Sequence, residues 1–178
     1  MAEALVVIDV QNEYVTGQLP IVHPAVVGSL ERIGAAMDAA AAARIPVVVV
    51  RHNEPEGLFV AGTAEWELHM SVAERPHDLL IDKSLPGAFT GTQLEAWLRE
   101  RGLDRLAIVG YMTHMCVDTT SRQAMHLGFE VTVLDDATGT INISEALPAA
   151  LVHEVELGVL ASGFATVRPT DAWIASLG

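Results

Sequence analysis

The chain has 178 residues, of which 51% are hydrophobic and 19% are charged, and its formal net charge is −13. One domain over residues 1–178 is the simplest organisation for this length. The negative charge argues against nucleic acid and anionic membranes as partners, because both attract basic surfaces. No apolar stretch reaches the roughly 18 residues of a membrane span, and no basic-then-apolar leader opens the sequence. We therefore expect a soluble, cytoplasmic protein.

Strand-like and helix-like patterns alternate along the chain. Apolar or β-branched runs predict strands at residues 4–8, 45–50, 78–82, 104–109, 129–134 and 164–167. Helical patterns lie between them, at residues 24–43, 90–101, 116–127 and 144–161. Strands that are apolar nearly throughout are typical of a parallel sheet covered on both faces. We predict an α/β fold: a three-layer α/β/α sandwich around a six-stranded, mainly parallel, Rossmann-like sheet.

A long polar segment, residues 52–77, separates the second and third predicted strands and carries Trp66 and His69. Its length exceeds that of ordinary loops. The sequence leaves three interpretations open, namely a lid, a pocket wall or an oligomer contact.

The only cysteine, Cys116, lies where an apolar strand gives way to a helical pattern. A thiol at such a turn meets the positive end of a helix dipole, which favours the thiolate and supplies free N–H donors. A buried packing role is the alternative. A single cysteine cannot form an internal disulfide or a cysteine metal cluster, which agrees with a reducing compartment.

Two charged residues end other strand-like runs in the same way: Asp9 after the first and Lys83 after the third. The carboxyl ends of parallel strands share one edge, where open α/β sheets bind their ligands. Asp9, Lys83 and Cys116 could therefore converge. Taken singly, Asp9 could cap a turn and Lys83 could be a solvated strand end.

Four segments, in order, resemble the motifs of the isochorismatase-like cysteine hydrolases, the family of nicotinamidases and N-carbamoylsarcosine amidase. They are Asp9-Val10-Gln11-Asn12, Lys83-Ser84 with Ala88-Phe89, residues 110–117 with Thr119, Thr120 and Arg122, and Asp135-Asp136-Ala137. The resemblance implies a catalytic triad of Asp9, Lys83 and Cys116. It also implies an oxyanion hole from the backbone N–H groups of Thr113 and Cys116, and a cis peptide between Met112 and Thr113.

The resemblance implies acyl transfer from a C–N bond to the thiol, followed by hydrolysis of the thioester. Asp9 would carry the thiol proton to the leaving amine, while Lys83 keeps Asp9 ionised. The substrate would be a small amide, carbamoyl or ureido compound, or a lactam. Vinyl ether hydrolysis with Asp9 as the acid is one alternative, against which Cys116 argues. A non-catalytic binding protein is the other, against which the intact triad argues.

Several side chains near these motifs are candidates for substrate binding, each with packing, a turn or a subunit contact as its alternative. They are Gln11, Tyr14, His52, Trp66, Phe89 and Tyr111. His114 precedes the nucleophile by two positions, and we interpret it as a wall residue rather than a base. The apolar C-terminal half and the low charge favour a homo-oligomer that acts on a small molecule.

No metal and no other cofactor are expected. The nicotinamidase branch carries an Asp-x-His pair just after the second strand, whereas this chain has Arg51-His52-Asn53-Glu54 there. His52 and His69 could still be neighbours in space, but two histidines without a carboxylate make a weak metal site.

Overall fold

The fold is described by a computed structural model that covers residues 2–178. Its six strands are β1 (Ala2–Ile8), β2 (Val47–His52), β3 (Leu79–Lys83), β4 (Leu103–Tyr111), β5 (Glu130–Gly139) and β6 (Thr166–Arg168). They form one sheet in the order β3-β2-β1-β4-β5-β6, and every neighbouring pair is parallel. The predicted parallel sheet is confirmed.

Helices cover both faces of this sheet. They are α1 (Val26–Ala43), α2 (Met70–Ala73), α3 (Leu94–Glu100), α4 (Asp118–His126), α5 (Ala149–Ala161) and α6 (Thr170–Ala175). Leu5 and Val7 of β1 pack with α1, α2 and α6, whereas Val6 and Ile8 pack with α3, α4 and α5. The two buried layers arise because successive strand side chains point to opposite faces. In the part of the chain described, no helix has both the length and the apolar character needed to cross a bilayer.

Element ends differ from the sequence prediction where strand pairing or proline intervenes. β5 continues to Gly139 because Thr138 and Gly139 pair with Gly110 and Tyr111 of β4. Asp136, which lies within the strand, accepts a hydrogen bond from the Thr170 N–H, at 2.8 Å. That bond also satisfies the start of α6, a helix that the sequence did not reveal. α5 begins only after Pro148, because proline keeps the residue before it out of helical conformation.

The strand order reverses between β1 and β4, which opens a crevice at their carboxyl ends. The two strands approach closely at Gly110, whose φ is +112°. A Cβ at this position would lie 2.0 Å from the carbonyl oxygen of Ile8. Only glycine therefore allows β4 to pass β1 at this point.

The second part of the long segment after β2 is held by backbone hydrogen bonds. Its residues hydrogen-bond the chain that follows β1: Asn12 N to Glu67 O at 2.9 Å, and Glu13 N to Glu65 O at 2.8 Å. The His69 N–H likewise donates to the Val10 carbonyl at 2.9 Å. These bonds make the segment a fixed wall beside the crevice.

Candidate active site

Asp9, Lys83 and Cys116 meet at the carboxyl edge of the sheet. Asp9 follows β1, Lys83 ends β3, and Cys116 lies in a π-helical turn, Thr113–Val117, that follows β4. The Lys83 Nζ lies 2.7 Å from Asp9 Oδ2 and 3.3 Å from Cys116 Sγ. All three residues are buried. The arrangement places an ammonium between a carboxylate and a thiol, away from water.

The backbone at Asp9 turns sharply at the end of β1. Its φ is +51°, in the left-handed region that aspartate tolerates better than most residues. The Asp9 N–H still bonds to the Val50 carbonyl of β2, at 2.9 Å. Neither carboxylate oxygen makes a hydrogen bond of good geometry to a described residue, although the Lys83 ammonium lies 2.7 Å from Oδ2. Oδ1 is therefore open to accept a proton.

Burial disfavours the charged forms of the site residues, whereas opposite charges nearby favour them. Burial lowers the pKa of Lys83, but its interactions with Asp9 and Cys116 outweigh burial, so the pKa is raised and the amine stays an ammonium. Burial and the Asp9 charge raise the pKa of the Cys116 thiol, and the Lys83 charge opposes them only in part. The resting site thus holds a protonated thiol. Its proton has to leave by direct transfer to a neighbouring base rather than to bulk water.

The π-helical turn presents Cys116 beside the first backbone N–H groups of a helical segment. The N–H of Thr113 opens this turn, where no preceding helical turn supplies an acceptor. The Thr113 hydroxyl is held from behind, 2.9 Å from His153 Nδ1 and 3.3 Å from Thr138 Oγ1. His153 Nε2 in turn lies 3.1 Å from the Asp135 carbonyl oxygen. Sequence reasoning missed His153, whose only signal was a histidine among the apolar residues of a helical pattern.

The predicted cis peptide between Met112 and Thr113 is wrong by one bond. The structure has its non-proline cis peptide between Tyr111 and Met112. Thr113 is already the first residue of the π-helical turn, so the chain changes direction one residue earlier, directly after the last residue of β4.

Gln11 is not a pocket residue. Its amide nitrogen donates to the carbonyls of His52 at 3.0 Å and Trp66 at 2.7 Å, and its oxygen accepts from the His52 N–H at 2.9 Å. The side chain is fully buried. Because its two N–H donors and its oxygen are engaged, Gln11 clamps the end of β2 to the long segment instead of binding substrate.

Tyr14 lies next to the triad, and Phe59 packs against the Tyr14 ring. Burial raises the pKa of the Tyr14 phenol well above its usual value, and the charges of Cys116 and Asp9 raise it further. Phe59 packs 5.1 Å from the Tyr14 ring and 5.4 Å from the His52 ring. Phe59 was not a sequence candidate, because its place in an irregular loop carries no periodic signal.

Three other candidates take structural positions. The Tyr111 hydroxyl hydrogen-bonds Ser29 Oγ of α1, at 2.7 Å, deep in the core. Phe89 packs 5.7 Å from Phe129. The Trp66 ring lies under the Arg51 guanidinium, 3.6 Å from it, and donates to Asn53. His114 hydrogen-bonds Thr140 Oγ1 at 2.5 Å and is not a partner of the triad.

The fold agrees with comparisons to known proteins. The family model of the isochorismatase domain matches residues 3–172. The chain is 36% identical to the secreted isochorismatase effector Isc1 of Verticillium dahliae, over 92% of this chain and 85% of that protein. It is 29% identical to nicotinamidase 3 of Arabidopsis thaliana, over 94% of this chain and 85% of that protein.

A solved structure gives the same result. The crystal structure of an isochorismatase-like protein from Burkholderia xenovorans LB400 has a TM-score of 0.95 and 50% sequence identity, covering 98% of this chain and 86% of that one. This chain belongs to the isochorismatase family. It is a hydrolase of that family, related to nicotinamidases.

The residues of this isochorismatase-family site do not fit a metal ion. Asp9, His52 and Cys116 offer ligand atoms within 4.8 Å of one another. The Lys83 ammonium, however, lies 2.7, 3.0 and 3.3 Å from Asp9, His52 and Cys116, so a positive charge already sits among them. His69 is not part of this group of ligand atoms. It caps α2, accepting from the Ser71 N–H at 3.2 Å.

Proposed function

We propose that this isochorismatase-family hydrolase cleaves a C–N bond of a small amide, carbamoyl or ureido compound, or a lactam, through a thioester on Cys116 and without a metal or other cofactor. The observation that carries the proposal is the Lys83 ammonium, placed 2.7 Å from the Asp9 carboxylate and 3.3 Å from the Cys116 sulfur. The relation to a nicotinamidase supports an amide as the bond that is cleaved.

In the first half-reaction, Cys116 Sγ attacks the acyl carbon as its proton moves to Asp9. The backbone N–H groups of Thr113 and Cys116 receive the oxyanion, a contribution of about 3 kcal/mol per donor in comparable sites. Asp9 then gives the proton to the leaving nitrogen, and the C–N bond breaks. Lys83 stays charged throughout and stabilises the thiolate as it forms.

In the second half-reaction, Asp9 takes a proton from water, and the oxygen attacks the thioester carbon. The C–S bond breaks, the acid product leaves, and the thiolate recovers its proton from Asp9. Atoms and charge balance over the cycle, since one water is consumed and each proton taken by Asp9 is returned. We also propose that Tyr14, kept neutral by its raised pKa, donates a hydrogen bond from its hydroxyl to the bound substrate.

The test is a screen of small amides, ureides, carbamoyl compounds and lactams for ring opening or release of ammonia or amine, with the wild type and Cys116→Ala compared. We expect turnover in the wild type and none above background in Cys116→Ala, with a mass increase on Cys116 when a slow substrate is trapped. A vinyl ether hydrolase, the second candidate, would keep its activity in Cys116→Ala. Binding of ligands without any turnover would indicate the non-catalytic alternative.

We also propose that the single domain of residues 1–178 forms a homo-oligomer in the cytoplasm. Leu151, Val155 and Val159 support this, because they form an exposed apolar stripe along α5, at 42, 54 and 39% exposure. An unpaired stripe of this kind is typical of a subunit contact. Since one relative is named a secreted effector, the location needs its own test by cell fractionation.

A further inference from the structure

Lys83 has a third partner besides Asp9 and Cys116. Its Nζ lies 3.0 Å from His52 Nδ1. His52 ends β2 and is paired in register with Lys83 at the end of β3, so the sheet itself brings the two side chains together. An ammonium has three N–H donors, and three partners lie within 3.3 Å of Nζ.

The proton of the His52 ring can be assigned from its neighbours. An ammonium only donates hydrogen bonds, so Nδ1 has to accept, and the ring proton is on Nε2. Nε2 lies 2.8 Å from Glu54 Oε1, and the Nε2–H donates a hydrogen bond to that oxygen. Both nitrogens are therefore engaged within the protein, and His52 has no free nitrogen for a substrate.

The ring is held in this orientation on every side. Gln11 hydrogen-bonds both the N–H and the carbonyl of His52, at 2.9 and 3.0 Å. Phe59 packs edge-on against the ring, with an interplanar angle of 89°. The His52 side chain is only 12% exposed. A residue fixed this firmly provides a stationary acceptor for the ammonium.

We propose that His52 is a positioning residue that holds Lys83 where it reaches Asp9 and Cys116 at once, with Glu54 orienting its ring. The assignment rests on the proposed function, because it matters only if Lys83 serves the thiol. Without an acceptor at Nδ1, one N–H of a buried ammonium loses its partner. Lys83 is then drawn toward Asp9 and away from the sulfur, and the thiolate loses stabilisation.

A matched pair of substitutions tests this. In His52→Asn, the amide oxygen takes about the place of Nδ1, so the acceptor is kept. In His52→Gln, the amide reaches the place of Nε2, so Glu54 keeps a partner but Lys83 does not. Asparagine and glutamine carry the same amide group. They differ in whether that group reaches Lys83 or Glu54. His77→Leu is the control, since His77 is an exposed residue that lies before the opposite end of β3.

The readout is the rate of alkylation of Cys116 by iodoacetamide from about pH 6 to about pH 10, which spans the usual range of thiol titration. Because the chain has a single cysteine, the signal comes from Cys116 alone. The groups facing the ammonium are Asp9, Cys116 and His52, with Glu54 behind His52. We expect His52→Gln to lower the rate at a given pH about tenfold and to shift the profile upward. His52→Asn should stay within about threefold of the wild type, and His77→Leu should match it.

Lys83→Met and Asp9→Asn separate this inference from the proposed function. If both displace the profile but His52→Gln does not, or if the Asn and Gln variants are equally impaired, His52 does not position Lys83 and the triad still stands. If the wild-type profile is indifferent to Lys83→Met and Asp9→Asn, the triad itself is wrong and the proposed function fails. Urea unfolding of each variant checks the fold. Alkylation rates that only follow the free energies of unfolding would also overturn the positioning role.

Discussion

The ammonium of Lys83 has no exposed surface, and neither has the carboxylate of Asp9. Two buried charges are tolerated only as a pair, because each alone would carry its full desolvation cost. Breaking the contact that we propose prepares Cys116 would therefore also destabilise the fold. Residues of the site and residues of the core cannot be separated at this point of the molecule.

Lys83→Met should show both consequences. We expect activity to fall by about 10²–10⁴, and the free energy of unfolding to fall by about 3–5 kcal/mol, because Asp9 is left buried and unpaired. In Asp9→Asn/Lys83→Met the charge is removed from both sides, so the double variant should be more stable than Lys83→Met alone. Urea unfolding measures this. If the losses of unfolding free energy in the two single variants simply add up in the double variant, the two side chains do not interact.

Among the secondary-structure elements, α5 supports the nucleophile turn through His153. Its Nδ1 contacts the Thr113 hydroxyl, and its Nε2 contacts the Asp135 carbonyl of β5. Burial and the neighbouring His23 together lower the pKa of His153 to about 4, although its hydrogen bond to the Asp135 carbonyl acts in the opposite direction. The ring is therefore expected to be neutral in the folded protein at neutral pH.

This lowered pKa predicts a loss of stability in acid. The unfolded chain takes up the proton near the ordinary pKa of 6.5 and the folded chain only near about 4, so the stability present above pH 6.5 declines as the pH falls to about 4. We expect His153 to account for about 2 kcal/mol of that decline, after allowance for partial solvation of the ring. His153→Asn, which does not titrate but keeps an acceptor for Thr113, should remove this part. Urea unfolding of both proteins across this range tests it, and parallel curves would contradict it.

The junction of β1 and β4 depends on Gly110. Gly110→Ala should cost about 3 kcal/mol or more, because it combines a positive φ with a Cβ that would lie 2.0 Å from the Ile8 carbonyl oxygen. Gly158→Ala is the control: a Cβ there meets nothing within 4 Å, and alanine favours the α5 helix by about 1 kcal/mol. Thermal unfolding compares the two, and similar effects would refute the close approach.

At the scale of the whole molecule, the net charge disfavours association between copies of the chain, whereas the apolar stripe of α5 favours it. A formal charge of −13 repels other copies, so association has to come from an uncharged surface. Leu151, Val155 and Val159 provide such a surface, one turn apart along α5. The stripe lies on the helix that also carries His153, so the proposed subunit contact and the support of the Thr113–Val117 turn would share one element.

Val155→Glu should therefore dissociate the assembly. A carboxylate in the middle of the stripe would be desolvated against a partner without compensation, so the mass measured by light scattering should fall to that of one chain. Glu154→Gln, a neighbouring exposed position, serves as control and should leave the mass unchanged. A monomeric wild type, or an assembly that survives Val155→Glu, would exclude this stripe as the contact.

Much of the fold followed from local pattern. Runs such as Val47–Val50 and Leu106–Val109 are apolar on both faces, which only a doubly covered parallel sheet accommodates. Placing Asp9, Lys83 and Cys116 at strand ends was enough to predict that they meet, because parallel strands share a carboxyl edge. The ends of β5 and α5 were less predictable, since they depend on pairing with β4 and on Pro148.

By itself, the sequence determined the sheet, the covering helices and the meeting of the three reactive residues, because each follows from periodicity or from the direction of a strand. Only the tertiary structure decided that Gln11 links the end of β2 to the long segment, that Phe59 packs against Tyr14 and His52, and that His52 contacts Lys83. His52 and Lys83 are 31 positions apart, and Gln11 and Trp66 are 55 apart. Such contacts depend on which strands pair and in what register, and that is set by packing of the whole chain rather than by any local pattern.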